Sequence, residues 1–174
     1  MMGKWIKACC LLAALAGSAQ AAQKTYVVGS GGTYRPFEYE NSQKQLEGFD
    51  IDIIKAIAKA ENFTIKLVNT PWEGIFATLG SGDRDIIISG ITITDKRKQM
   101  VDFSAPYFPA EQSIVVPADS KVTSLAALKS EKVGVVNSST GDIVVSDVLG
   151  KNSTSIKRFD NTPLMLQELF EDGV

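Results

Sequence analysis

The sequence predicts an α/β protein folded as two lobes with a cleft between them. Three observations carry that expectation. Residues 25–89 run strand, helix, strand, helix, strand, an order that implies a parallel sheet with right-handed crossovers. A second, shorter β/α cycle follows from residue 132 to residue 170. The glycine-rich and polar stretches fall at or just beyond the strands' carboxyl ends, where ligands of such sheets sit.

The N-terminus reads as a leader rather than as part of the fold. Lys4 and Lys7 form a positive segment, residues 8–16 are apolar, and Ala19-Gln20-Ala21 is a small-x-small cleavage site. Cleavage is expected after Ala21. The apolar run is too short to span a bilayer. Cys9 and Cys10 begin this run instead of following it, which disfavours a lipid anchor.

Residues 25–28 read as the first strand, stopping at Gly29-Ser30-Gly31-Gly32, a loop that admits close approach of a ligand. Thr33-Tyr34-Arg35-Pro36-Phe37-Glu38-Tyr39 packs three aromatics into six residues: Phe37 suits a core position, and another ring can face a pocket. Residues 49–60 form the clearest helix, with Ile53, Ile54, Ile57 and Ala58 at helical spacing. Asp50 and Asp52 fall where the helix dipole favours acids, and are read as solvated. Residues 64–68 are the second strand. A helix is expected to open at Pro71 and run through residue 79. Trp72 at its start is either a core anchor or a flat platform at a pocket mouth. Residues 85–89 complete the first cycle.

The chain is organised around what comes next, Ser89-Gly90-Ile91-Thr92-Ile93-Thr94-Asp95-Lys96-Arg97. Gly90 allows close approach, Thr92 and Thr94 bring hydroxyls, and Thr94 is placed to cap a short helix carrying Arg97. Amide donors, hydroxyls and a guanidinium together suit a carboxylate, whose two oxygens one Arg can grip. Residues 102–108 read as a connecting loop and residues 113–116 as a strand ended by Pro117. Residues 125–128 give a helical turn, 132–136 a strand, 143–149 a helix, 155–157 a short strand and 162–170 a helix. Asn137-Ser138-Ser139-Thr140-Gly141 sits between a strand and a helix N-terminus, a position suited to an anion.

Composition narrows the function classes. There is no His, and both Cys lie in the leader, so His-based triads, His metal sites and thiolate chemistry are excluded from the mature chain. No carboxylates cluster at EF-hand spacing, and no metal or cofactor is implied. Without the leader the chain has 16 basic and 20 acidic residues, a net charge of −4, which argues against a nucleic-acid surface.

Several motifs resemble, in order and spacing, those of periplasmic polar-amino-acid-binding proteins, the substrate-binding subunits of ABC importers (bacterial solute-binding protein family 3). They are Thr33-Tyr34-x-Pro36-Phe37-Glu38, Gly48-Phe49-Asp50-Ile51-Asp52-Ile53, Ser89-Gly90-Ile91-Thr92-Ile93-Thr94-x-x-Arg97, Asp102-Phe103-Ser104-x-Pro106-Tyr107 and Val133-Gly134-Val135. The resemblance implies a two-lobe type II periplasmic binding protein fold. It also implies a signal peptide over residues 1–21, a first lobe over residues 22–112 and a partial second lobe over residues 113–174. It further implies that Arg97 binds the α-carboxylate of a free L-amino acid, with Thr92 and the backbone around Thr140 and Gly141. The Gly90 carbonyl and Thr92 hydroxyl would receive the α-ammonium. Tyr34 and Trp72 would hold the side chain between their rings, with Ser89 lining the same wall. The partners implied are the ligand and the membrane permease, and the protein is expected to be a monomer.

Two departures qualify this expectation. Many relatives that bind lysine, histidine or glutamine carry Asp where Gly31 stands. The surrounding motifs look most like arginine binders, in which Glu38 or Glu73 would meet a cationic side chain. The sequence also stops at Val174, before the elements that return the chain to the first lobe in longer relatives. The return crossover and second lobe are therefore expected to be incomplete, and ligand binding by this product weak or absent. Two other functions remain on the same scaffold: a periplasmic cyclohexadienyl dehydratase, with Glu38 or Glu73 as general acid, and the ligand-binding domain of a sensor receptor.

Overall fold

A computed structural model describes residues 23–174. The expected leader and its cleavage site lie outside the described residues. β1 (Thr25–Ser30) opens the chain and is followed by three short strands, β2 (Thr33–Tyr34), β3 (Glu38–Glu40) and β4 (Leu46–Glu47). These three form a small antiparallel sheet of order β2-β3-β4. The sequence suggested at most one strand here. The hairpin joining β3 to β4 is turned by Asn41, whose Oδ1 accepts from the Gln43 and Gln45 amides at 2.9 Å each.

α1 (Phe49–Ala60) buries Ile51, Ile54 and Ala58. The buried stripe is offset from the expected one. Ile51 takes the first core position, while Ile57 is exposed. β5 (Thr64–Asn69) then pairs in parallel with β1 from Thr25↔Thr64 to Ser30↔Asn69. α2 (Ile75–Gly80) begins later than Pro71 because Gly74, at φ +78°, interrupts the right-handed backbone. Trp72–Gly74 is thereby a turn, closed by the Ile75 amide on the Trp72 carbonyl at 3.2 Å.

β6 (Ile86–Ile87) pairs with the other edge of β1, giving a parallel sheet of order β5-β1-β6. It is shorter than the expected strand: the Ile88 amide still bonds to the Gly29 carbonyl of β1 at 3.0 Å, but the Gly90 amide turns to the Asp50 carboxylate. α3 (Asp95–Lys98) is capped as expected, Thr94 Oγ1 accepting from the Arg97 amide at 3.2 Å.

No strand forms over residues 113–116. A strand needs a hydrogen-bonded neighbour, and among the described residues none runs alongside; Ile114 and Val115 are exposed. A 3-10 turn (Leu125–Ser130) leads to β7 (Val133–Val136), α4 (Thr140–Leu149), β8 (Ile156–Phe159) and α5 (Thr162–Phe170). β7 and β8 form a separate parallel pair. Each parallel sheet has its own core: Val28, Ile54 and Ile88 at β5-β1-β6, and Leu128, Val135, Val145 and Ile156 at β7-β8.

The N-terminal turn of α4 is braced by Asp142. Its carboxylate accepts from the Ser138 amide at 3.0 Å, Ser146 Oγ at 3.0 Å and Arg158 Nε at 3.0 Å. Burial alone would raise its pKa; the bonds from Arg158, Ser138 and Ser146 and the Arg158 charge outweigh that and hold it below the ordinary carboxylate value.

Two predictions follow from this packing. Ile51 is fully buried, so Ile51→Ala should lower the unfolding free energy by about 2–5 kcal/mol in urea titration. Asp142 has a depressed pKa in the fold, so its contribution is complete above the ordinary carboxylate pKa and is lost as pH falls through the lower folded value. Asp142→Asn should therefore lower stability at neutral pH and flatten the acid limb below about pH 4, read as melting temperature against pH.

Candidate functional site

The expected site residues fall into two groups. One surrounds the end of β6. Ser89 Oγ donates to Glu38 Oε1 at 2.8 Å and accepts from the Gly31 amide at 3.1 Å. Gly90 takes φ +55°, and its amide donates to Asp50 Oδ2 at 2.6 Å. The Tyr34 ring lies against Gly90, so that a Cβ there would come within 3.0 Å of Tyr34 Cε1. Tyr34 also stacks on Phe37, ring centroids 5.4 Å apart.

Two carboxylates thus support adjacent residues from behind. Glu38 is only 3% exposed, and its Oε2 has no hydrogen-bond partner. Burial pushes its pKa up to about 8, against the lowering effect of the Ser89 bond and with a further push from the Asp50 charge. A Cβ on Gly31 would stand 2.9 Å from Glu38 Oε1, so the absence of a side chain at position 31 leaves room for this carboxyl. Asp50 is fully buried and also accepts from the Tyr107 hydroxyl at 2.9 Å. This corrects the solvated reading: Asp50 faces the protein interior, whereas Asp52, two residues on, is exposed. Burial raises the Asp50 pKa, and the Gly90 and Tyr107 bonds oppose the rise.

The second group lies where the two sheets' loops meet. Arg97 is 7% exposed. Its Nη1 donates to the Thr92 carbonyl at 3.0 Å and its Nη2 to the Ser138 carbonyl at 3.4 Å, so it reaches from α3 to the loop after β7. Its guanidinium carbon stands 5.3 Å from the Trp72 ring centroid and 5.4 Å from that of Phe76. Burial lowers its pKa, and among the described residues no carboxylate lies within ion-pair distance of it. Trp72 Nε1 donates to the Asn137 carbonyl at 2.9 Å, a second link across the seam. Beside it is a cavity of about 160 Å³, lined by Trp72, Glu73 and Phe76 on one side and Asn137, Ser138 and Asp160 on the other.

Thr140 and Gly141 open α4 near this seam, but the side chain beside them is Gln112. Its Nε2 donates to Thr140 Oγ1 at 3.1 Å, and its Oε1 would meet a Cβ on Gly141 at 3.2 Å. The contact from Arg97 to the second sheet's loop is made two residues earlier, at Ser138. Sequence reasoning missed Phe76, Gln112 and the inward role of Asp50. Phe76 follows Trp72 by four residues, a spacing that signals one side of a turn; nothing in the sequence marked Gln112.

One group thus holds a buried cation beside aromatic faces, and the other two buried acids.

Comparison with known proteins agrees in fold and family. The description of bacterial extracellular solute-binding proteins, family 3, matches residues 26–173. A probable histidine-binding protein of Neisseria gonorrhoeae is 45% identical over an alignment covering 99% of this chain and 69% of that protein. The arginine-, lysine-, histidine-binding protein ArtJ of Geobacillus stearothermophilus is 41% identical and superposes with a TM-score of 0.83, covering 87% of this chain and 64% of that one. The ancestral amino-acid-binding protein AncCDT-1, a precursor of cyclohexadienyl dehydratase, is 38% identical with a TM-score of 0.79, covering 84% and 66%. The chain thus spans about two thirds of the length of these relatives, and its fold is that of the type II periplasmic binding proteins. It belongs to family 3 of the bacterial extracellular solute-binding proteins.

Proposed function

We propose that this chain binds a free L-amino acid with a cationic side chain, arginine above others, between its two lobes. In this reading it acts as the periplasmic binding subunit of an ABC importer and delivers its ligand to a membrane permease. The observation that carries the reading is Arg97. A guanidinium this buried, with only backbone carbonyls as acceptors, lacks the negative charge that would offset its desolvation. A ligand carboxylate supplies that charge and two oxygens for bidentate hydrogen bonds. Thr92, Thr140 and Gly141 are the proposed neighbours of the carboxylate, and Tyr34 and Trp72 the proposed ring faces for the side chain.

Glu38 is the proposed partner of the cationic tail. Its carboxyl fills the space beside Gly31 and has an unpartnered oxygen. The names of the histidine- and arginine-binding relatives support the same class of ligand. Opening and closing of the lobes about the connecting segment would admit the ligand and exclude water.

A second reading has one observation in its favour. Glu38, with its pKa near 8, is mostly a neutral acid at pH 7, as a general acid for eliminating water and CO₂ from a cyclic acid would need to be. Incubation with arogenate or prephenate, followed by an ultraviolet scan for aromatic product, separates the two readings.

Calorimetry tests the binding proposal. Heat with L-arginine supports the proposal over the expectation of weak or absent binding; clear heat with L-glutamine and none with L-arginine would reject the arginine assignment. Arg97→Met should weaken binding by about a hundredfold or more, because it deletes one half of a buried charge pair. A cationic tail beside Glu38 favours its ionised form, so binding at pH 7 should release protons. Titrations in buffers of different ionisation heat would read this release, and Glu38→Gln should abolish it. In the ligand-free protein the sign is the reverse of the Asp142 case. Glu38 has a raised pKa, so its contribution to stability is complete below about pH 4.5 and declines as pH rises through about 8. Glu38→Gln should remove that decline in a melting series.

A further inference from the structure

We propose that Asp50 and Tyr107 are positioning residues for the ligand's α-ammonium group, acting through Gly90. The inference rests on the amino-acid-binding reading above and deepens it. Neither residue lies among those expected to touch the ligand. Asp50 comes from the first turn of α1, and Tyr107 from the long segment connecting the first sheet to the second. They meet at a fully buried carboxylate whose two oxygens are divided between them: Oδ2 accepts from the Gly90 amide at 2.6 Å and Oδ1 from the Tyr107 hydroxyl at 2.9 Å.

The geometry has a direct consequence at Gly90. A peptide unit is planar and trans, so an amide hydrogen drawn toward Asp50 turns the Ser89 carbonyl the opposite way. The short charge-assisted bond fixes that plane. Gly90 then leaves it at φ +55°, with the Tyr34 ring against its α-carbon, which sets the course of the chain toward Thr92. Asp50 thereby orients the Ser89 carbonyl and the chain that follows it, and carbonyl oxygens held toward the front of the turn favour a cation there. Tyr107 keeps the carboxylate from rotating, because its hydroxyl occupies the second oxygen. The same bond ties the connecting segment to the site, so the turn and the start of the crossing to the second sheet share one anchor.

Asp50→Asn and Tyr107→Phe test this, with L-arginine and its desamino analogue, the same molecule without the α-ammonium group, as probes in calorimetry. Asp50→Asn should weaken L-arginine by about tenfold to a hundredfold and the analogue by less than about threefold. Tyr107→Phe should act in the same direction and more weakly. A merely structural role would weaken both probes alike, and parallel losses, or none, would overturn the inference while leaving the binding reading intact. If the unchanged chain binds neither probe, the binding reading itself falls and takes the inference with it. Should Asp50→Asn fail to fold, the Gly90 amide proton of the unchanged chain decides by nuclear magnetic resonance. It should resonate far downfield and move more with L-arginine than with the analogue; equal movement with both would sink the proposal.

Discussion

The chain just beyond β6 is held by two buried acids that take hydrogen bonds from consecutive residues, and the geometry of the turn depends on that arrangement. Glu38 takes the hydroxyl of Ser89, and Asp50 takes the amide of Gly90. Two acids this close in a dry setting favour one proton between them, since each charge makes the other costlier. Here the more weakly hydrogen-bonded acid, Glu38, has its pKa pushed into the neutral range. At Asp50 burial also raises the pKa, and a backbone amide and a tyrosine hydroxyl donating to it at the start of α1 oppose the rise.

At the seam between the two sheets' loops the sign reverses. Arg97 is buried where loops of the two sheets meet, yet its acceptors are backbone carbonyls with only partial charge. The two sheets have separate cores that share no residue. Links between them include the hydrogen bonds from Arg97 to Ser138 and from Trp72 to Asn137, and α5 also lies against β2.

Aromatic rings fill the space between the acids and the connecting segment. Tyr34 stacks on Phe37, and Phe37 meets Phe49 and Phe108 edge to face. Phe49 and Asp50 are neighbours at the start of α1, so the same helical turn provides an aromatic contact to the connecting segment and the carboxylate that receives Tyr107. Gly31 belongs to the same design. With no side chain there, the Glu38 carboxyl reaches the site from a different strand.

The sequence by itself determined the alternation of strands and helices in each cycle, the capped turn at Thr94 and the parallel pairing around β1. Those features rest on local rules: hydrophobic period, cap chemistry, and the place of loops after strands. It misread Asp50, because an acid in a first helical turn has the same local signature whether it faces water or a buried amide; only the approach of Gly90 from forty residues away distinguishes the two. It set a strand at residues 113–116, because apolar β-branched residues satisfy the pattern whether or not a partner strand lies beside them. Likewise, no local pattern relates Gln112 to Thr140, or Phe76 to Arg97. Hydrogen bonds and ring contacts between distant segments exist only once the chain has folded, so the tertiary structure alone decided which acids face inward and what stands against the arginine.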